Sequence, residues 1–127
     1  MKDDIQVKDF VLEDKTNYNV ENSTYFSGID EGKTKFIYKT IRSGQKVFFN
    51  GNVVVIGDIN SGAEVTASGN IIVLGELKGR VHAGFNGNSD TIIAAFRLCP
   101  EILQIGDVVS TSPDGDKPKY PEVAKLK

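Results

Sequence analysis

The sequence has one cysteine, one histidine, no tryptophan and no proline before Pro100. A single cysteine, Cys99, excludes an internal disulfide framework and any cysteine-based zinc cluster. With His82 as the only histidine, most metal-site and triad chemistries fall away as well, so neither a metal nor a cofactor is expected. Apolar runs stop at four or five residues, far short of the roughly 20 that a membrane-spanning helix needs. Nor is there a basic surplus. The 15 Lys and Arg are outnumbered by 17 Asp and Glu, which argues against a nucleic-acid binder. A cytoplasmic localisation fits these absences best.

What is present is unevenly spread over the 127 residues. Residues 1–33 are acidic and polar, with a weak apolar pattern at Ile5, Val7, Phe10, Val11 and Leu12. They read as a linker or the remnant of an N-terminal region, partly disordered, ahead of one domain over 34–127. The β-branched density is concentrated between positions 36 and 110. Three prolines follow, in Ser-Pro-Asp-Gly, Lys-Pro-Lys and Tyr-Pro-Glu, and mark a turn and an extended tail.

The middle of the chain repeats. Ser43–Asn60 (SGQKVFFNGNVVVIGDIN) aligns with Ser61–Lys78 (SGAEVTASGNIIVLGELK), with Ser, Gly, Val, Gly, Asn, Val and Gly identical and five further positions conservatively exchanged. The Gly-Asn pair of Gly51-Asn52 and Gly69-Asn70 returns at Gly87-Asn88, again eighteen residues on. Ser89-Asp90-Thr91 then displace the next apolar run, and Ile105-Gly106-Asp107 echoes Ile56-Gly57-Asp58. Val-Val-Val-Ile and Ile-Ile-Val-Leu are crowded in a helix and favoured on a pleated surface. The glycines from Gly44 to Gly87 leave no room for a useful helix. Short strands joined at glycine corners every eighteen residues predict an all-β fold, a parallel β-helix of about four coils. Thr34–Thr40 and Pro121–Leu126 are candidate strands for capping its two ends.

Two surfaces follow from stacking the repeats. Because Val53–Ile56 and Ile71–Leu74 are apolar on both strand faces, one set must cover something outside the core. Val54, Ile72 and Ile93 are expected to form an apolar face that a two-fold homodimer would bury; residues 1–35 folding back over it is the alternative. On a different edge, Arg42-Ser43-Gly44-Gln45 falls beneath Ser61-Gly62-Ala63-Glu64, and Lys78-Gly79-Arg80 continues the line. This stack is either a polar docking ridge or the ordinary row of solvated turns that every solenoid has. Cys99 reads as a small buried hydrophobe, and Phe48, Phe49, Phe85 and Phe96 as core or dimer-face packing.

RSGQ at Arg42–Gln45, GAEV at Gly62–Val65, GNIIVLG at Gly69–Gly75 and KGRVHAG at Lys78–Gly84 resemble the C-terminal domain of the MinC family of bacterial septum-site determining proteins. FSGIDEGKTKFIYKTIRSGQ, LCPEILQIGD and PEVAKL extend the likeness from about Phe26 to the end. The resemblance implies a right-handed β-helix of triangular cross-section that dimerises through one face. It implies a cell division inhibitor component, not an enzyme, that binds the membrane-associated ATPase MinD and helps to target the division protein FtsZ. The MinD contact would involve Arg42, Ser43, Gly44, Gln45, Gly62 and Glu64. The FtsZ tail would meet Arg80 and Ile102, and the membrane would be reached only through MinD. Members of the family also carry an N-terminal domain, which residues 1–25 are too few to form.

Two other β-helix classes compete. Hexapeptide-repeat acyltransferases use a histidine as general base, but His82 is a lone histidine on a turn and Gly44, Gly51 and Gly57 are unevenly spaced. Bactofilin-like scaffolds polymerise end to end, which the RSGQ corner and the proline-rich end argue against.

Overall fold

The computed structural model of the chain describes residues 6–7, 10–11, 27–111 and 118–127. Among the described residues every regular element is a strand. β1 (Gln6–Val7) and β2 (Phe10–Val11) form a small antiparallel pair, so the apolar pattern near the start includes strand residues; Ile5 and Leu12 lie outside the described residues. The other described strands belong to a solenoid.

The solenoid has two five-stranded sheets and a narrow third side. The first sheet stacks β3 (Thr34–Ile37), β5 (Asn52–Val55), β7 (Ile71–Leu77) and β9 (Ile93–Leu98) in parallel. The second stacks β4 (Lys46–Phe49), β6 (Glu64–Ala67), β8 (Arg80–Ala83) and β10 (Ile102–Ile105), also in parallel. Between them, Ile41 bridges to Ile59 and Ile59 to Leu77, which makes the third side. Each rung visits the first sheet, the third side and the second sheet in turn, and four rungs are complete. The expected β-helix is the fold.

Inward columns explain why these residues make these strands. Val53, Ile71 and Ile93 stack on one another, as do Val55, Val73 and Ala95, and all six side chains are buried. From the second sheet Val65 and Val81 point in, and Ala67 and Ala83 sit beneath Ile105. Ile41, Ile59 and Leu77 close the third side. β-Branched residues fill such columns because their stiff side chains stand off a pleated strand in one rotamer. Thr91 is the one buried polar residue of the described set, and its hydroxyl donates to the carbonyl of Asn88 at 3.2 Å.

Both ends use the predicted strands. β3 and β4 form the first rung, with Lys35 over the ring of Phe49 at 5.4 Å. At the other end the chain reverses. β11 (Val108–Ser110) folds back antiparallel on β10, and β12 (Glu122–Ala124) lies antiparallel on β9.

The eighteen-residue spacing holds from Val53 to Ile71 and from Lys46 to Glu64, then changes. Glu64 to Arg80 is sixteen residues, because the corner at Lys78-Gly79 is two residues short. Ile71 to Ile93 is twenty-two, because the loop after β8 is six residues longer than the one after β6 and outweighs the short corner. Two recurrences in the sequence do not stack as a result. Gly87-Asn88 does not stack on Gly69-Asn70 but lies in that longer loop, and the position above Asn70 belongs to Ile92, whose amide donates to the Asn70 side chain at 2.8 Å. Ile105-Gly106-Asp107 is not an echo of Ile56-Gly57-Asp58. It ends the second sheet, whereas Ile56-Gly57-Asp58 follows a strand of the first.

The aromatic assignments also change in part. Phe49 packs against the core, but Phe48 is exposed on the outside of the second sheet, tilted against Phe85 with 4.8 Å between ring centroids. Cys99 is half-buried.

Candidate partner-binding site

The polar ridge is built from two stacked turns of the same kind. In the first, the Gln45 amide donates to the Arg42 carbonyl at 2.9 Å, and Gly44 has φ +87°. In the second, the Ala63 amide donates to the Asn60 carbonyl at 3.0 Å, and Gly62 has φ +84°. A left-handed residue at the third position is the requirement of a type II turn, and glycine meets it without steric cost. The repeated Ser-Gly is therefore a turn signal before it is anything else.

Hydrogen bonds lock the two turns together. The Gly44 amide donates to the Gly62 carbonyl at 3.0 Å, Asn60 to the Ile41 carbonyl at 2.9 Å and Glu64 to the Gln45 carbonyl at 3.0 Å. Within the first turn, the Gln45 side chain turns back to accept from the Arg42 amide at 2.8 Å. Space differs between the two glycines: a Cβ at Gly44 would meet nothing, whereas one at Gly62 would collide with the Ser43 side chain. Arg42, Ser43, Gly44 and Gln45 are all exposed, and the Arg42 guanidinium has no ion-pair partner among the described residues.

Glu64 is brought close to this corner, but one position beyond the turn. It pairs across the second sheet with Lys46 below and Arg80 above, its carboxylate 3.4 Å from each cation. Ion pairs this exposed contribute about 0–1 kcal/mol, so their effect is to fix side-chain direction more than stability. Lys46 is a ridge residue that the sequence reading passed over; its opposite charge to Glu64 at the repeat spacing is the signal that would have found it. Glu101 was also missed. Its carboxylate accepts a 2.9 Å hydrogen bond from the Gly62 amide, across a gap of thirty-nine residues in sequence, and no local pattern points to it.

Arg80 and Ile102 are direct neighbours in the register between β8 and β10. They line a shallow groove of about 220 Å³ on the outside of the second sheet, together with Glu64, Thr66, His82 and Gln104. His82 lies with Nε2 3.0 Å from the Gly106 carbonyl oxygen, which is a structural contact at the end of β10. Among the described residues no cluster of His, Cys, Asp and Glu is arranged to hold a metal ion.

The apolar face is present on the outside of the first sheet, with one correction. Phe36, Val54, Ile72, Ala94 and Val123 share a column, and Tyr38, Ile56, Leu74 and Phe96 follow two residues further along each strand. Six of these are exposed large hydrophobics, Phe36, Tyr38, Ile56, Leu74, Phe96 and Val123. Ile93 is not among them: it is fully buried, paired with Ile71 in the core, and Ala94 occupies the outward position above Ile72. The cause is the longer loop before β9. Counted from the apolar run alone, the register is off by one, and a one-residue slip exchanges the two faces of a strand.

No helix among the described residues is long and apolar enough to cross a membrane. Compared with known proteins, residues 35–127 match the family described as septum formation inhibitor MinC, C-terminal domain. The chain is 56% identical over 121 residues to a probable septum site-determining protein MinC of Clostridium kluyveri, covering 95% of the chain and 56% of that protein. It is 53% identical over 126 residues to its counterpart in Clostridium acetobutylicum, covering 98% of the chain and 58% of that protein. The chain thus spans somewhat more than half the length of the curated relatives it matches. Among solved structures it is similar to a chain of the MinC:MinD cell division protein complex of Aquifex aeolicus, with TM-score 0.72, 40% identity, and coverage of 76% of this chain and 80% of that one.

Proposed function

Because the chain belongs to the family of MinC C-terminal domains, we propose that it is a homodimeric binding module of division-site selection that docks through its stacked-turn ridge on the ATPase MinD. The observation that carries this reading is the exposed Arg42, without an ion-pair partner among the described residues, on a turn whose backbone is held by four hydrogen bonds. A guanidinium with its fork of donors suits a partner carboxylate, and a turn backbone already held in shape lowers the ordering cost of binding. Ser43, Gly44 and Gln45 complete the contact, with Gly62 and Glu64 behind them. The solved relative, a chain of a MinC:MinD cell division protein complex, supports the choice of partner.

The apolar outside of the first sheet is the dimer face, centred on Val54 and Ile72. A dimer presents two ridges, so each engagement with a membrane-bound partner raises the local concentration for the second. The groove at Arg80 and Ile102 is the contact for the acidic, apolar tail of FtsZ. In this reading the protein is cytoplasmic, reaches the inner face of the membrane only through MinD, catalyses nothing itself, and contributes to blocking Z-ring assembly at wrong sites. Residues 34–127 are the binding domain in this reading.

The test is co-sedimentation of the chain with MinD on liposomes. Recruitment in ATP and its loss in ADP is the expected result; equal pelleting in both, or none in either, refutes the docking role.

A further inference from the structure

On the ridge the first rung passes its turn amide to a carbonyl of the second: the Gly44 amide donates to the Gly62 carbonyl. The Gly62 amide has no such carbonyl above it. The third-rung corner at Lys78-Gly79 is two residues short, and Gly79 is pressed so closely on the carbonyls of Asn60 and Ala63 that a Cβ there would collide with both. The vacancy is filled from the fourth rung. Glu101 reaches across the short corner, and its Oε1 accepts from the Gly62 amide at 2.9 Å. An unpaired amide at this place would be a defect in the ladder that holds the first turn.

The reach of Glu101 is itself fixed. Its own amide donates to the Gly79 carbonyl at 2.9 Å, and the Cys99 amide donates to the Leu77 carbonyl at 3.0 Å. Between these two anchors sits the buried Pro100, whose ring locks φ. Although Glu101 is exposed, its backbone has little freedom to move away. Gly62 is thereby held from both sides, its amide by Glu101 and its carbonyl by Gly44. From these contacts we infer that Glu101 is a positioning residue for the ridge: its carboxylate substitutes for the missing turn carbonyl above Gly62 and so holds the Arg42–Gln45 turn in its docking shape.

This inference rests on the docking role proposed above, and the experiment separates the two. Glu101→Ala and Glu101→Gln are compared with the unaltered chain in binding to ATP-loaded MinD on liposomes and in amide hydrogen exchange at Gly62 and Gly44. Glutamine keeps the accepting oxygen and removes the charge. Glu101→Ala is expected to weaken binding about tenfold and to speed exchange at both glycines, while Glu101→Gln restores binding to within about threefold. Unchanged binding by Glu101→Ala, or unchanged exchange at Gly44, overturns the positioning role. Glu101→Gln as weak as Glu101→Ala overturns it too, because the charge and not the acceptor would then matter. If the unaltered chain itself ignores MinD, the docking role fails, and exchange at Gly44 still decides whether Glu101 holds the turn.

Discussion

The backbone amide of Asn70 donates a 2.8 Å hydrogen bond to the side-chain carbonyl of Asn52, one rung before it. The motif repeats upward, since the Ile92 amide donates to the Asn70 side chain at the same distance. Downward, the Asn52 side-chain amide reaches the carbonyls of Glu31 and Lys33 at 3.1 and 3.3 Å. These asparagines complete the ladder at a corner where the strands themselves leave amides unpaired. Asn52→Ala strands the Asn70 amide in a half-buried corner, and is expected to cost about 1–3 kcal/mol. Thermal unfolding followed by circular dichroism should show a lower midpoint, by roughly 4–8 °C for each kcal/mol in a domain of this size. Asn52→Asp, which keeps the acceptor, should lose less.

The two turn glycines separate strain from collision. Gly44→Ala meets open space and suffers only the left-handed backbone, about 1–2 kcal/mol. Gly62→Ala has the same strain and also drives into the Ser43 side chain, so it should be the less stable of the pair in urea denaturation. A smaller loss for Gly62→Ala than for Gly44→Ala would contradict the stacking of the turns.

Arg42→Ala should leave stability within about 0.5 kcal/mol of the original, because the side chain is exposed and unpaired. It is expected to abolish recruitment to MinD-coated liposomes in ATP, and Gly44→Asp to do the same, with the dimer intact in both by sedimentation velocity. Full recruitment by both variants would rule out the ridge as the docking surface.

An aspartate placed on either side of one strand type reads out the two faces. Ile72→Asp puts the charge on the outside of the first sheet, and should yield a folded monomer by analytical ultracentrifugation. Ile93→Asp buries an unpaired carboxylate in the core and should leave little folded protein. A dimeric Ile72→Asp would move the interface elsewhere.

Breaking the charge column at Glu64 should have little effect on stability. Glu64→Gln loses two partly exposed ion pairs, and urea unfolding is expected to shift by no more than about 1 kcal/mol.

The solenoid is legible because successive rungs carry the same chemistry at the same spacing: Val53 under Ile71 and Ser43 under Ser61 are visible as text. Legibility fails where rungs change length. A six-residue insertion before β9 and a two-residue contraction at Lys78-Gly79 leave the residue types familiar while shifting who stacks on whom. Ile93 was therefore assigned to the outside, and Arg80 was placed on the ridge without its pairing to Glu64 being seen. Glu101 illustrates a deeper limit. Its partner two rungs away is decided by a missing piece of backbone on the rung between them, and no side-chain pattern near it carries that information. Val54 and Ile72 were readable as outward because two apolar faces on one strand demand two burial sites.

The reversed strands at the C-terminal end have an evolutionary consequence. A rung duplicated after β10 would meet β11 and β12 running the other way, with hydrogen-bonding groups out of phase for a parallel neighbour. Lengthening of this solenoid at that end therefore requires new repeats to be spliced in ahead of β11 and β12.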